Sequence, residues 1–583
     1  MKPPPKIAVS QPRDTVRVTF ASGQVLEGAV GTTVQDFLNA DRELNPDQYL
    51  SPIIAGIFDA KLRELSYSVK RDGGMQPVLL SSSDGGRIYR RSLILLLVTA
   101  IEKLFPKVKA SVSYAVPDGG MFCILRNRDP FTVEELTQIE AHMREIVAAD
   151  APIDKKLVTL DEAITLFRDR GDDDKLRLLE NRARNSLILY TLRGRSDYYY
   201  GYMLPSTGTL QTFKLLHTDT GFVLQYPRQG SANEIQPMQA HAKINHVFQE
   251  AEDWLHKMNL PDVGTLNQLV REDRVQELIL VAEALHEQSI AYIARTINER
   301  QRDQDLRLVL IAGPSSSGKT TFSKRLSIQL LAQGIRPFTL EMDNYFVDRE
   351  ITPKDAEGNY DFEAFEAINL SVFNEQLAAL IAGQRVIIPK FDFFTGKSVP
   401  DRPGQLKDNQ IIIVEGIHGL NPRLVSDIPP EKIYRIYVSA LTQLNIDFHN
   451  RVPTTDVRLL RRIARDAARR GYSATDTILR WDSVRRGEKK NIFPYQEYAD
   501  VMFNSALAYE LAALRPLVEP LLMQVEPGTP PHIESNRLLS FLRWVQPFTE
   551  TQERRIPDTS LLREFIGGSI LDAYHPSDLE TED

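Results

Sequence analysis

Leu306-Arg-Leu-Val-Leu-Ile-Ala312, followed without a break by Gly313-Pro-Ser-Ser-Ser-Gly318-Lys319-Thr320, is the stretch on which the reading of this chain turns. The apolar run reads as a buried strand, and the amphipathic run Thr321 to Gln333 behind it reads as a helix. The octapeptide between them has the form G-x-x-x-x-G-K-[ST], in the strand-to-helix context that pattern requires. Two glycines let the backbone curl so that successive N–H groups point at phosphate oxygens, and the start of a helix favours negative charge. Lys319 adds a point charge for terminal phosphates, and Thr320 offers a hydroxyl to a divalent cation. Gly313, Pro314, Ser315, Ser316, Ser317, Gly318, Lys319 and Thr320 are therefore expected to grip a nucleotide, with ATP and Mg²⁺ as the implied pair.

Downstream, apolar segments at Arg336 to Met342, Val386 to Pro389, Ile411 to Val414 and Ile433 to Val438 alternate with helical patterns. That rhythm predicts an α/β domain, a parallel sheet with helices on both faces. Strand ends in such sheets face the ligand crevice, which singles out Asp343 and Glu415. A carboxylate at Asp343 can take an acceptor hydroxyl's proton, and one at Glu415 can help hold metal beside Thr320. Between 451 and 490 there are 12 Lys or Arg against 5 Asp or Glu. On the predicted helix Asp456 to Arg470, the spacing of Arg458, Arg462, Arg465 and Arg469 puts them on one face, with Leu460, Ile463 and Ala467 on another. A cationic stripe of that kind suits a lid that covers a triphosphate.

These landmarks together resemble the uridine kinase and phosphoribulokinase family, over about 306 to 525. The likeness rests on Gly313 to Thr321, Asp343-Asn-Tyr-Phe346, Tyr360-Asp-Phe-Glu363, Pro389-Lys-Phe-Asp-Phe393, Val414-Glu-Gly416 and the run from Thr455 through Arg462, Arg465 and Asp466 to Arg470-Gly471. The resemblance implies a nucleoside kinase with Asp343 as general base for a sugar hydroxyl. It implies Lys319, Asp343, Arg462 and Arg465 as catalytic residues, with Arg470 and Thr321 joining the nucleotide contacts. Tyr345, Asp361, Phe391 and Phe393 fall on the acceptor side. Two departures bear on the acceptor: uridine kinases carry a His where this chain has Gly396, and Arg and Gln where it has Tyr472 and Arg480. Losing groups that hydrogen-bond a base predicts a relaxed or different acceptor, so a phosphosugar stays open beside uridine or cytidine.

The N-terminal half alternates short strands and helices, with Val16 to Phe20 as a strand and Thr33 to Leu38 opening a helix. It resembles the N-terminal region of threonyl-tRNA synthetases, a TGS module followed by an editing-type domain. Arg90-Arg-Ser-Leu-Ile-Leu-Leu96 sits where that family has R-H-S-x-x-H-L, and Asp197-Tyr-Tyr-Tyr-Gly-Tyr-Met203 where it has D-L-C-x-G-P-H. Arg91, Leu95, Tyr199 and Met203 thus replace every His and Cys, and none can act as a neutral imidazole or a thiolate. Deacylase chemistry is expected to be absent, leaving RNA or tRNA contact, binding of a small ligand, or scaffolding as the roles of this half. An RNA-sensing P-loop ATPase is the corresponding rival to a kinase.

The chain's 583 residues are too many for one core. The expected divisions are 1–76 (TGS-like, α+β), 77–226 (editing-like, α+β), 227–300 (helical linker), 301–525 (P-loop kinase) and 526–583 (C-terminal extension). A net charge of -8 argues against a surface built throughout to neutralise nucleic acid. The single cysteine, Cys123, excludes an internal disulfide and fits a reducing cytoplasm. Leu93 to Ile101, the longest apolar run, is about half the length a membrane span needs. An oligomer is compatible with the sequence. The segment from Ile556 through Arg563 to Ser569 is compact and unusual, no mechanism attaches to it, and packing against the kinase domain is the expectation.

Overall fold

A computed structural model describes residues 13–575 except 181, 183, 229–233, 240, 355–357, 359, 393–394, 408 and 442–443. The chain divides into two compact units. The first comprises Met1–Gln239, Asp447–Arg451 and Glu526–Ser540, and the second Ala240–Ile446, Val452–Val525 and Phe541–Asp583.

In the first unit, Thr15–Phe20 pairs antiparallel with Val25–Ala29 and parallel with Gly73–Leu79. Ile53–Phe58 and Lys61–Glu64 complete this five-stranded sheet. The helix Val34–Leu44 opens where predicted because Thr33 and Asp36 form a reciprocal cap, each side chain bonding the other's backbone N–H. Beyond it, a four-stranded antiparallel sheet and a three-stranded one surround the helix Ser83–Leu104. That helix, 22 residues long, begins well before the apolar run, because Ser82 caps it at Gly85 and the two glycines Gly85 and Gly86 are tolerated inside. Leu93 to Ile101 is buried throughout, which makes this helix the core of the unit. No helix among the described residues is long and apolar enough to cross a membrane.

The second unit is built on five parallel strands: β1 (Leu308–Ala312), β2 (Arg336–Glu341), β3 (Gln410–Glu415), β4 (Ile433–Ser439) and β5 (Val501–Asn504). Their order across the sheet is β2-β3-β1-β4-β5. Every residue of β1 is buried, as a central strand covered on both faces must be. The helix α1 (Lys319–Ala332) follows β1, while α2 (Thr454–Arg470) and α3 (Ala474–Asn491) follow β4.

Two expectations about the sheet need correction. Val386 to Pro389 belongs to a separate antiparallel ribbon, Val386–Asp392 against Lys397–Gly404. Its own hairpin partner lies only a few residues on, and this local pairing wins over the distant sheet. The true fifth strand, β5, is four residues long, too short to carry a periodic signal.

Candidate active site

The phosphate loop leaves β1 at Gly313, where a Cβ would run into the carbonyl of Val438 on β4. Ser316 and Gly318 take φ values of 57° and 87°, so two left-handed residues turn the loop back over the start of α1. Lys319 folds over it, donating to the carbonyls of Gly313 at 2.9 Å and Pro314 at 3.3 Å. Ser316 and Ser317 are buried, and neither hydroxyl finds a hydrogen-bond partner. Orphaned donors in a backbone curl at a helix start fit phosphate oxygens.

Two carboxylates arrive from neighbouring strand ends. Glu415 ends β3 and accepts a hydrogen bond from the Thr320 hydroxyl at 2.8 Å. Burial pushes its carboxyl up to about 7, against the pull of Lys319 and Thr320, and Glu564 and Asp343 add to the rise. A hydroxyl beside a half-buried carboxylate is a hard-oxygen pair that suits Mg²⁺. Asp343 lies in the one-turn helix Met342–Tyr345 that follows β2. Its side chain is open to solvent, while the surrounding cleft walls still raise its pKa against Lys319 and Arg470. Asp343, Glu415 and Lys319 therefore act on one another electrostatically.

The arginines of α2 do not form one solvated stripe. Arg458 is buried and pairs with both oxygens of buried Glu488 on α3, at 2.5 and 2.8 Å. The same pair brackets the phosphate loop, since Arg458 donates to the Ser315 carbonyl and Glu488 accepts from the Ser315 N–H. Arg461, which the spacing argument passed over, is also buried, bound to Glu510 and Ser505. Arg462 reaches the Ser315 hydroxyl at 2.8 Å and also bonds Asp466, as does Arg465. Arg470 is half exposed, 3.7 Å from Asp466. One part of the predicted stripe is thus scaffold, and another part faces the loop.

On the acceptor side, Asp361 accepts from the Glu363 N–H at 3.1 Å. Phe391 is buried in a cluster with Phe346 and Phe362, its N–H bonded to Asn344. Tyr345 sits in the core, edge-on to Phe373 and donating to Gln376. Phe393 lies outside the described residues. Gly396 takes φ 74°, and a Cβ there would strike the Arg349 side chain, so Arg349 occupies the room beside the position where the family carries His. Tyr472 and Arg480, the other departures, stack with the guanidinium 4.3 Å from the ring centre.

Sequence reading quoted Glu363 within a motif without giving it a role, and missed Glu488 and Arg349. Glu363 is pushed up to about 7, by burial first and by Glu488 next, while Arg462 and Lys319 pull the other way. Gly487 on α3 makes room for it, since a Cβ there would press on that of Glu363. A glycine inside a helical pattern was the only local sign.

In the first unit, the four editing-type positions are all filled. Leu95, Tyr199 and Met203 are buried, and Arg91 bonds the Tyr202 carbonyl beneath Gly201. Asp447 to Arg451, from far along the chain, sit against this region. His449 pairs with buried Asp197 at 2.8 Å, Lys175 with Asp197 and Asp447 at 2.9 and 3.2 Å, and Asn450 donates to the Tyr198 carbonyl. Burial alone would raise Asp197, yet Lys175, His449 and Arg195 together hold it well below the usual carboxylate range.

Residues 308–511 match the Phosphoribulokinase / Uridine kinase family. The N-terminal region is similar to threonine–tRNA ligases. It is 32% identical over 204 residues to threonine–tRNA ligase 1 of Bacillus subtilis, and 29% over 202 residues to threonine–tRNA ligase of Pelobacter propionicus. Each match covers 35% of this chain and 31% of the relative, so the chain spans about a third of the length of these relatives. A solved structure described as a possible uridine kinase from Bacillus stearothermophilus is 20% identical, with a TM-score of 0.23, over 34% of this chain and 88% of that one. The C-terminal half of the chain carries a kinase domain of the phosphoribulokinase and uridine kinase family, joined to an N-terminal region similar to threonine–tRNA ligases.

Proposed function

We propose that the protein transfers the γ-phosphate of ATP to the hydroxyl of a small molecule, with a nucleoside of the uridine or cytidine type as the leading acceptor. The observation that carries this reading is the convergence of Lys319, the Thr320–Glu415 pair and Asp343 at adjacent strand ends of one parallel sheet. Lys319, the Ser316 and Ser317 hydroxyls and the first N–H groups of α1 would hold the phosphates. Thr320 and Glu415 would hold Mg²⁺, which when bound neutralises charge on the phosphates. Asp343 is exposed just past the end of β2, where its carboxylate can take the acceptor hydroxyl's proton. As that proton leaves, the oxygen bonds to the γ-phosphorus and the β,γ-bridging bond breaks toward ADP. Arg462, anchored over the loop by Ser315, and Arg465 beside it would stabilise the spread charge.

Arg349 beside Gly396 favours a second acceptor class, because a guanidinium near an acceptor pocket suits an anionic group such as a sugar phosphate. A coupled assay with MgATP against both nucleosides and phosphosugars decides between them. Turnover on neither class, with nucleotide binding intact, rejects the acceptor assignment. Asp343→Asn is expected to lower kcat about 10²- to 10⁴-fold, with a smaller change in ATP affinity. The domain limits near 76, 226, 300 and 525, a role for the N-terminal region in tRNA contact, and a cytoplasmic location belong to the same proposal.

A further inference from the structure

The C-terminal residues 556–572, to which the sequence attached no mechanism, are packed against the second unit's helices as expected. Ile556, Leu561, Leu562, Phe565 and Leu571 are all buried. Ser560 donates to Glu283, Lys324 of α1 donates to the Leu571 carbonyl, and Arg469 of α2 pairs with Asp572 at 2.8 Å. Leu561 lies against Gly318, where a Cβ would collide with it. The segment therefore touches both the helix that follows the phosphate loop and the arginine helix.

One contact has a chemical meaning beyond packing. Helix α1 has glycine at its N-cap, so no side chain there satisfies the first-turn N–H groups. Glu564 does so from the tail: one carboxylate oxygen accepts from the Thr321 N–H at 3.4 Å and from the Thr321 hydroxyl at 2.8 Å. A negative group thus already stands at the donors through which a helix start recognises phosphate. A phosphate oxygen brought to the same donors meets like charge there, and Glu564 also contributes to the upward shift of Glu415.

We propose that Glu564 is an intramolecular competitor for nucleotide phosphate, and that the C-terminal segment thereby restrains ATP binding. The inference rests on reading residues 313–321 as the phosphate site. Release requires only the Glu564 side chain to turn away, because the buried leucines and Phe565 hold the backbone in place. The device sets a threshold for nucleotide and leaves the chemistry at Asp343 untouched.

Titration of the full-length protein with a fluorescent ATP analogue and Mg²⁺ tests this, using wild type, Glu564→Gln and Glu564→Ala, with Lys319→Ala as reference. Gln keeps the volume and removes the charge, so the fold is preserved in at least one variant, as a melting curve checks. Both variants are expected to bind nucleotide about tenfold more tightly, the scale of one charge-assisted hydrogen bond removed from competition. Weaker binding in both would make Glu564 part of the nucleotide's own site, and unchanged binding would make it a plain helix cap. Either result overturns the proposal while leaving the kinase reading intact. Absence of binding in wild type and every variant would instead remove the phosphate site, and the restraint with it.

Discussion

Around Glu415 the kinase unit gathers carboxyls that are pushed upward, Glu363 and Glu415 by burial and the exposed Asp343 by the walls about it, beside two buried serine hydroxyls without partners. Around Asp197 the other unit does the reverse: Lys175, His449 and Arg195 surround a carboxylate and hold it well below its ordinary value. Both regions bury ionisable groups at considerable desolvation cost. In the first region loss of solvation outweighs the neighbouring cations Lys319, Arg462 and Arg470 at these carboxyls. In the second, charge is matched from within the chain, and Asp174 beside it is pushed up by burial. Frustrated electrostatics marks a place built to receive something, and matched electrostatics marks a place that has become structure.

The contrast breaks most sharply under mutation. Lys319→Ala should cut phosphoryl transfer at least about 10³-fold with the melting temperature nearly unchanged, because it removes charge from an unbalanced site. A large loss of stability would instead make that site a scaffold. Asp197→Asn should do the opposite. It leaves Lys175 and His449 without their shared anion, costs about 3 kcal/mol of unfolding free energy in urea titration, and spares ATP turnover in the folded fraction. Unaltered stability there would mean that the matched charges contribute nothing.

A pH series sharpens the comparison further. Glu415 and Glu363 are raised to about 7, so their neutral forms are favoured in the folded protein. The stability they contribute is fully present below the ordinary Glu value and is lost as pH rises through about 7. Mg²⁺ affinity should run the other way, weakening by up to about tenfold per pH unit below 7 as Glu415 takes a proton, and levelling off above it. A flat Mg²⁺ affinity between pH 5.5 and 8 would remove Glu415 from the metal site. The smallest effect belongs to Arg480→Ala, which removes a stacked pair with Tyr472 and should cost about 0.5–1 kcal/mol in melting experiments.

What the sequence made legible follows from where the partners lie along the chain. The phosphate loop is contiguous, so strand, curl, Lys319 and helix announce themselves together. Arg458 is different: helical spacing assigned it a face but could not reveal that Glu488, 30 residues later, would bury it. Gly396 read as a missing imidazole, while the Arg349 side chain that takes up the room comes from 47 positions upstream. Strand β5 was invisible because four residues hold no period. Glu564 had no local signal at all, because its partner Thr321 lies 243 residues away.

The path of the backbone carries one more consequence. The first unit recruits Asp447–Arg451 and Glu526–Ser540, so it is complete only after most of the polypeptide has left the ribosome, although its apolar core lies within residues 16–226. Until then Asp197 and Lys175 lack His449 and Asp447, and the half that is made first is the half that must wait. A fragment ending near residue 226 would carry that incompleteness permanently, and experiments on this region belong on the intact chain.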